Sequence, residues 1–196
     1  MIEKKIPFVG LHAHSVAGSI FDAIGYPNEH MDFCYENGGE ALALTDHGNM
    51  NGFSHQFLHW QKMKDEGKEF KPIFGVEAYF LPSIEEWRDD YERIKEDKKL
   101  AKSLAKQGDT SGATVEDEDA SKKAIKSVIN RRRHLVLLAQ NQTGLNNLFK
   151  LISASYREEN FYRYPRVDYK MLAEHSEGVI AASACLGGPY AGNYWE

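Results

Sequence analysis

The chain has 196 residues, 42% of them hydrophobic and 27% charged, and a formal net charge of −5. These figures suit one domain with a real core and exclude a disordered tail or a strongly basic nucleic-acid binder, so any DNA contact is local or metal-assisted. The opening residues lack the apolar region of a signal peptide, no run reaches membrane-span length, and Cys34 and Cys185 are too few for a disulfide framework; a cytoplasmic protein with no membrane partner is expected.

In chain order, the stretch Phe8-Val9-Gly10-Leu11-His12-Ala13-His14-Ser15 reads as a strand ending in two histidines. Positions i and i+2 leave a strand on the same face, about 7 Å apart at the backbone, which suits two ligands converging on a metal. A lone His-x-His pair is more often hydrogen-bonded or simply exposed. A loop over 16–26 holds Asp22, and a helix follows, with Asn28 expected as its cap, Glu29 at its positive end and Asn37-Gly38-Gly39 as its stop. Ala41-Leu42-Ala43-Leu44 is a continuous apolar run, a buried parallel strand that ends in Thr45-Asp46-His47-Gly48. Phe53, Phe57 and Trp60 then recur at helical spacing up to Gly67; His55 and His59 in this helix lack the glutamate of a His-Glu-x-x-His motif and are assigned to surface or packing.

A third strand over 72–80 carries Glu77 inside an apolar run, which is costly unless the carboxylate is paired or bound to a cation. Composition shifts at Pro82. Ser83 and Glu86 form a capping box for a charged amphipathic helix reaching about Gln107, residues 108–114 are loop-like, and Ala120, Ala124 and Val128 mark a second helix ending at Arg131-Arg132-Arg133. This is an inserted helical hairpin over about 82–133, its charges mostly a solvated face, with a DNA-facing role for the three arginines as the minority reading. His134-Leu135-Val136-Leu137-Leu138-Ala139 is a strand headed by a histidine, and Thr143 is expected to cap the next helix, with its stripe of Leu145, Leu148, Phe149, Ile152 and Tyr156. Residues 161–167 read as irregular, Asp168 as the cap of a short helix, and 179–183 as a last strand leading to Ala184-Cys185-Leu186-Gly187-Gly188. The alternation of strand and helix indicates a parallel α/β fold.

Ligand-type residues thus mark most of the strands: His12 and His14, Asp46 and His47, Glu77, His134, Cys185, with Asp22 on the first loop. Mixed imidazole and carboxylate ligands suit Zn²⁺, Mn²⁺ or Fe, and closely spaced metals suit phosphoester hydrolysis.

These motifs, with Lys71-Pro72-Ile73-Phe74-Gly75-Val76-Glu77-Ala78-Tyr79 and Asn147-Leu148-Phe149-Lys150-Leu151-Ile152-Ser153, resemble the PHP (polymerase and histidinol phosphatase) domain at the N-terminus of the alpha subunit of bacterial DNA polymerase III. The resemblance covers nearly the whole chain except the hairpin. It implies a distorted (β/α)7 barrel, a single PHP domain over 1–196 with the insertion at about 82–133, and up to three divalent ions, Zn²⁺ or Mn²⁺ foremost, with Mg²⁺ or Fe as alternatives. The family pattern carries over onto His12, His14, Asp22, His47, Glu77, His134 and Cys185 as metal ligands, with His12, His14, Glu77 and His134 also as the catalytic set; Asp46 orients or caps. The loop between His14 and Asp22 is one residue longer than the family pattern, and nothing after Cys185 supplies the family's final Asp-x-His pair. A complete eight-stranded barrel takes about 250 residues. The resemblance therefore implies a barrel incomplete at its C-terminus, from a truncated or split polymerase chain. Its expected partners are the rest of the alpha subunit and the 3′ end of a DNA primer. The implied activity is a metal-dependent phosphoesterase of the 3′–5′ proofreading type; a noncatalytic polymerase scaffold and a stand-alone phosphatase for a small phosphomonoester are the alternatives.

Overall fold

The computed structural model describes residues 8–106 and 115–191, so the expected loop at 108–114 and the last residue of the preceding helix lie outside the described residues. Helix α1 (Pro27–Glu36) starts with Pro27 at its first position, and the N–H of Tyr26 donates to Glu29 Oε2 at 2.6 Å. Tyr26 is therefore the cap, and Asn28 lies inside the first turn, because proline favours that first helical position. The chain leaves α1 through Gly38, at φ 81°.

Strand β1 (Ala41–Leu44) is followed by helix α2 (Phe53–Asp65), strand β2 (Lys71–Phe80) and the two helices of the insertion, α3 (Ile84–Lys106) and α4 (Val115–Asn130). Ser83 Oγ accepts from the N–H of Glu86 at 3.2 Å, the expected half of the capping box. Trp87 Nε1 donates to Val128 O at 2.8 Å and ties the two helices together. Strand β3 (Arg133–Ala139) leads to helix α5 (Gln142–Ser155), capped by Asn141, whose Oδ1 accepts from Gly144 N at 2.9 Å; Thr143, the expected cap, sits within the first turn. Asn141 wins because its side chain reaches the N–H three residues on while its own backbone stays extended.

Residues 161–167, expected to be irregular, form a tight hairpin of β4 (Phe161–Tyr162) and β5 (Tyr164–Val167), turned at Arg163 with φ 59°. Strands this short, one containing Pro165, carry no alternation for a sequence reading to catch. Asp168 Oδ1 caps helix α6 (Tyr169–Glu174) through Met171 N at 2.9 Å, as expected, and strand β6 (Val179–Ala182) follows.

The six strands form one sheet in the order β4-β5-β2-β3-β6, with β1 also paired to β2. The pairing is mixed rather than all parallel: β1 and β5 run with β2, whereas β3 runs against it. The helix pair α3 and α4 explains the reversal, since two helices that go out and back return the chain to the end of β2 it left. Along β2, Val76, Ala78 and Phe80 face the main core with Leu148, Leu151 and Ile152 of α5. Alternation sends Ile73, Gly75, Glu77 and Tyr79 to the other face. There Ala43, Val136 and Leu138 form a small apolar cluster at one end, and the ligand-type residues gather at the other.

Candidate metal centre

The segment carrying His12 and His14 is not a strand. It touches β1 through one parallel bridge, Gly10 to Leu42, and the N–H groups of Ala43 and Thr45 donate to Gly10 O at 2.7 Å and Ala13 O at 2.8 Å. A regular parallel ladder would use acceptors two residues apart; here they are three apart, so the segment bulges by one residue. Both imidazoles still converge, with Nε2 of His12 and of His14 at 3.4 and 3.2 Å from the same Glu77 Oε2.

His47 reaches this point by another route. The line of β1 continues along β2 to a bridge between His47 and Glu77, and His47 Nδ1 lies 2.8 Å from Glu77 Oε2. Asp46, beside it, accepts from Ser15 N at 2.6 Å, Ser19 Oγ at 3.0 Å and Ser15 Oγ at 2.8 Å. Asp46 thus orients the loop, as expected, while Ser19 Oγ also accepts from His47 N at 2.9 Å. His134 stands at the start of β3 opposite Tyr79, and its Nδ1 lies 3.0 Å from Glu77 Oε1. A histidine heading a strand joins residues that end others because β3 runs the opposite way.

Cys185 follows β6. Its Sγ lies 3.5 Å from His134 Nδ1 and 3.8 Å from Glu77 Oε1, and it accepts from Gly187 N at 3.3 Å. Asp22 approaches from the solvent side, Oδ2 at 3.0 Å from His47 Nε2. All seven candidate ligands are therefore in one place. Two sets hold their donor atoms within 4.8 Å of one another, His12 with His14 and Glu77, and His47 with Glu77 and His134. His55 and His59 stay apart, His59 pairing with Asp32 at 2.8 Å.

Sequence reasoning did not single out Tyr79, whose ring lies parallel to that of His47 at 5.9 Å and 5.5 Å from His134. Its signal was available: it stands two residues after Glu77 and so on the same strand face.

The electrostatics centre on Glu77, which is fully buried. Burial pushes its carboxyl up, but contacts from His134, His14 and His47 outweigh that and hold it well below the usual carboxylate range. The same contact, opposed by desolvation, raises His14. Short as they are, the contacts do not complete the hydrogen bonding: Glu77 Oε2, His47 Nδ1 and His14 Nδ1 are buried without a hydrogen-bond partner. Buried polar atoms that converge and lack partners are what a cation satisfies, and imidazole, carboxylate and sulfur donors suit a divalent transition metal.

The model of the PHP domain matches residues 10–192. The chain belongs to the PHP domain family. Among relatives of this PHP chain, the DNA polymerase III subunit alpha of Aquifex aeolicus is 34% identical over 92% of it, that of Treponema pallidum 34% over 95%, and that of Helicobacter pylori 37% over 96%. The chain spans 12% of the length of each of these relatives. A solved structure from Bifidobacterium adolescentis, provisionally assigned as a metal-dependent phosphoesterase, aligns with a TM-score of 0.40 and 11% identity over 78% of the PHP chain and 34% of its own. The helices of this PHP chain include none, among the described residues, that is long and apolar enough to cross a membrane.

Proposed function

We propose that this PHP domain is a metal-dependent phosphoesterase module that acts at the 3′ end of a DNA primer, as the N-terminal part of a chain of the DNA polymerase III alpha type. One observation carries the reading: the buried Glu77 carboxylate belongs to both donor sets, Oε2 toward His12, His14 and His47, Oε1 toward His134. A carboxylate shared in this way could serve two cations, an arrangement that favours phosphoester displacement. His12, His14, Asp22, His47, Glu77, His134 and Cys185 would hold them; Zn²⁺ or Mn²⁺ is the reading, with Mg²⁺ or Fe as alternatives. When bound, such ions supply an attacking oxygen at neutral pH and stabilise the charge on the leaving one.

The chain's own groups have further roles. Glu77 keeps its charge at any working pH and so neutralises part of the cation charge in a buried place. The polymerase relatives support DNA and the rest of an alpha subunit as partners, and a cytoplasmic location belongs to the same reading.

The test is cation content of the purified chain after loading with Mn²⁺ or Zn²⁺ and desalting, beside hydrolysis of a primer with a mismatched 3′ end, for the parent and Glu77→Gln. Retained cation and 3′ trimming in the parent, both lost in the variant, are expected. A parent that retains no cation would overturn the reading and leave a structural module of the polymerase; hydrolysis of a small phosphomonoester but not of DNA would make it a phosphatase.

A further inference from the structure

The face of the sheet that bears Glu77 does not stop at the metal donors. Tyr79 contacts His47 and His134, and on the same ring lies the guanidinium of Arg132, its Cζ 5.1 Å from the Tyr79 centroid and 3.9 Å from that of Tyr164. Arg132 immediately precedes β3 and stands two residues before His134. The guanidinium is held by rings and not by an acid. Nη1 donates to Asn130 O at 3.0 Å, Nε is buried without a partner, and no carboxylate pairs with it among the described residues. Its neighbour Arg131, by contrast, pairs with Asp90 at 2.7 Å.

A second cation reinforces the first. Arg166, fully buried, lies 5.9 Å from the same Tyr164 ring and is likewise bonded only to carbonyls, those of Tyr162, Tyr164 and Ile129. Arg166 braces the aromatic wall from inside, and the half-buried Arg132 presents the positive group beside the candidate metal centre, on a chain whose net charge is −5. Planar guanidinium stacked on tyrosine keeps its outer donors aimed away from the ring, a geometry suited to phosphate oxygens.

We propose that Arg132 is a phosphate-positioning residue that holds, against Tyr79 and Tyr164, the phosphate adjoining the ester hydrolysed at the Glu77 cluster. The inference rests on the phosphoesterase reading and narrows its substrate class. Tyr79 contacts both Arg132 and the donors His47 and His134, so Arg132 serves a phosphate next to the one at the donor atoms, which a nucleotide chain has and a small phosphomonoester lacks.

The test is binding of a fluorescent single-stranded oligothymidylate to the full chain, without cations so that nothing is cleaved, followed by anisotropy over a range of salt. Arg132→Ala is expected to weaken binding about tenfold and to lower the slope of log affinity against log salt by about 0.7, the share of one phosphate contact on a single strand. Arg132→Lys is expected to keep the slope and restore part of the affinity, since it retains charge but not the fork. Cation content and melting temperature, measured on all three proteins, separate a lost contact from a disturbed fold. Unchanged affinity and slope in Arg132→Ala would overturn the proposal, as would a parent that does not bind the oligonucleotide, or a loss of affinity that comes with loss of cation content. A parent that binds with the expected slope change yet hydrolyses no ester would refute the phosphoesterase reading and leave the phosphate contact standing.

Discussion

Glu77 keeps its charge in a place where burial alone would remove it, and the imidazoles around it are the reason. In the cation-free chain this has a pH consequence of definite sign. The depressed carboxyl contributes stability that is present above its ordinary value of 4.5 and lost as pH falls through the depressed one. The raised His14 contributes stability that is complete below its ordinary value of 6.5 and lost as pH rises through the raised one. The urea midpoint of the cation-free chain is therefore expected to be higher at about pH 5.5 than at about pH 8.5, and Glu77→Gln should largely remove the difference. Cation binding has the opposite trend, because ligating imidazoles must be neutral; calorimetry in buffers of differing ionisation enthalpy should detect proton release near the raised His14 value. At this scale the sequence was informative: Glu77 stands out as an acid inside an apolar strand, His12, His14, Asp22, His47, His134 and Cys185 mark strand ends or loops, and the structure brings them together. What it could not convey was the sharing, since which oxygen of Glu77 faces which histidine depends on the register of three segments distant in the chain.

At the scale of elements, the site depends on a change of partner along β2. One edge of β2 pairs with β1 and then His47, and beyond that with β5 at Tyr79 and Phe80; β3 holds the other edge. Gly48 makes the exchange. Its φ of +65° is a conformation L side chains rarely adopt, and an added Cβ would lie 2.9 Å from Pro165 and 3.1 Å from Tyr79. Gly48→Ala is expected to cost about 1–3 kcal/mol in urea unfolding and to weaken cation binding by displacing His47, with melting and cation titration as the measurements. The helices α2, α3, α4 and α5 were readable from stripes of three to five apolar residues, and α1 and α6 from their capping and stop residues. Strands of two to four residues have no room for a period, so the β4–β5 hairpin was read as irregular. The bulge at 10–13 failed for a related reason: an apolar run specifies extension and not the register of its hydrogen bonds.

The whole molecule is joined across the insertion by Arg166. This buried side chain donates to Tyr162 O at 2.8 Å and Tyr164 O at 3.1 Å in the hairpin, to Ile129 O at 2.6 Å at the end of α4, and lies 4.0 Å over the Trp87 ring of α3. Arg166→Ala would leave those carbonyls unpaired around a void, and a loss of about 3–5 kcal/mol in unfolding free energy is expected, with hydrogen exchange rising first in α3 and α4. Lys95→Ala, which removes an exposed pair with Glu92 and a contact over the Tyr91 ring, should change stability by no more than about 1 kcal/mol and serves as the control. The α/β class and the two helices between β2 and β3 were legible from composition and periodicity. The direction of β3 was not, because an antiparallel neighbour and a parallel one can carry the same apolar run.

Cys185 is exposed, whereas Cys34 is half-buried, with a thiol that burial pushes up. The two differ enough to let covalent chemistry report on the site. With limiting iodoacetamide, Cys185 is expected to be alkylated before Cys34, and a loading cation should slow the first reaction while leaving the second unchanged, as peptide mass spectrometry would measure. A thiol resting against Glu77 and His134 thus gives the molecule its own chemical gauge of occupancy, one that works without any substrate.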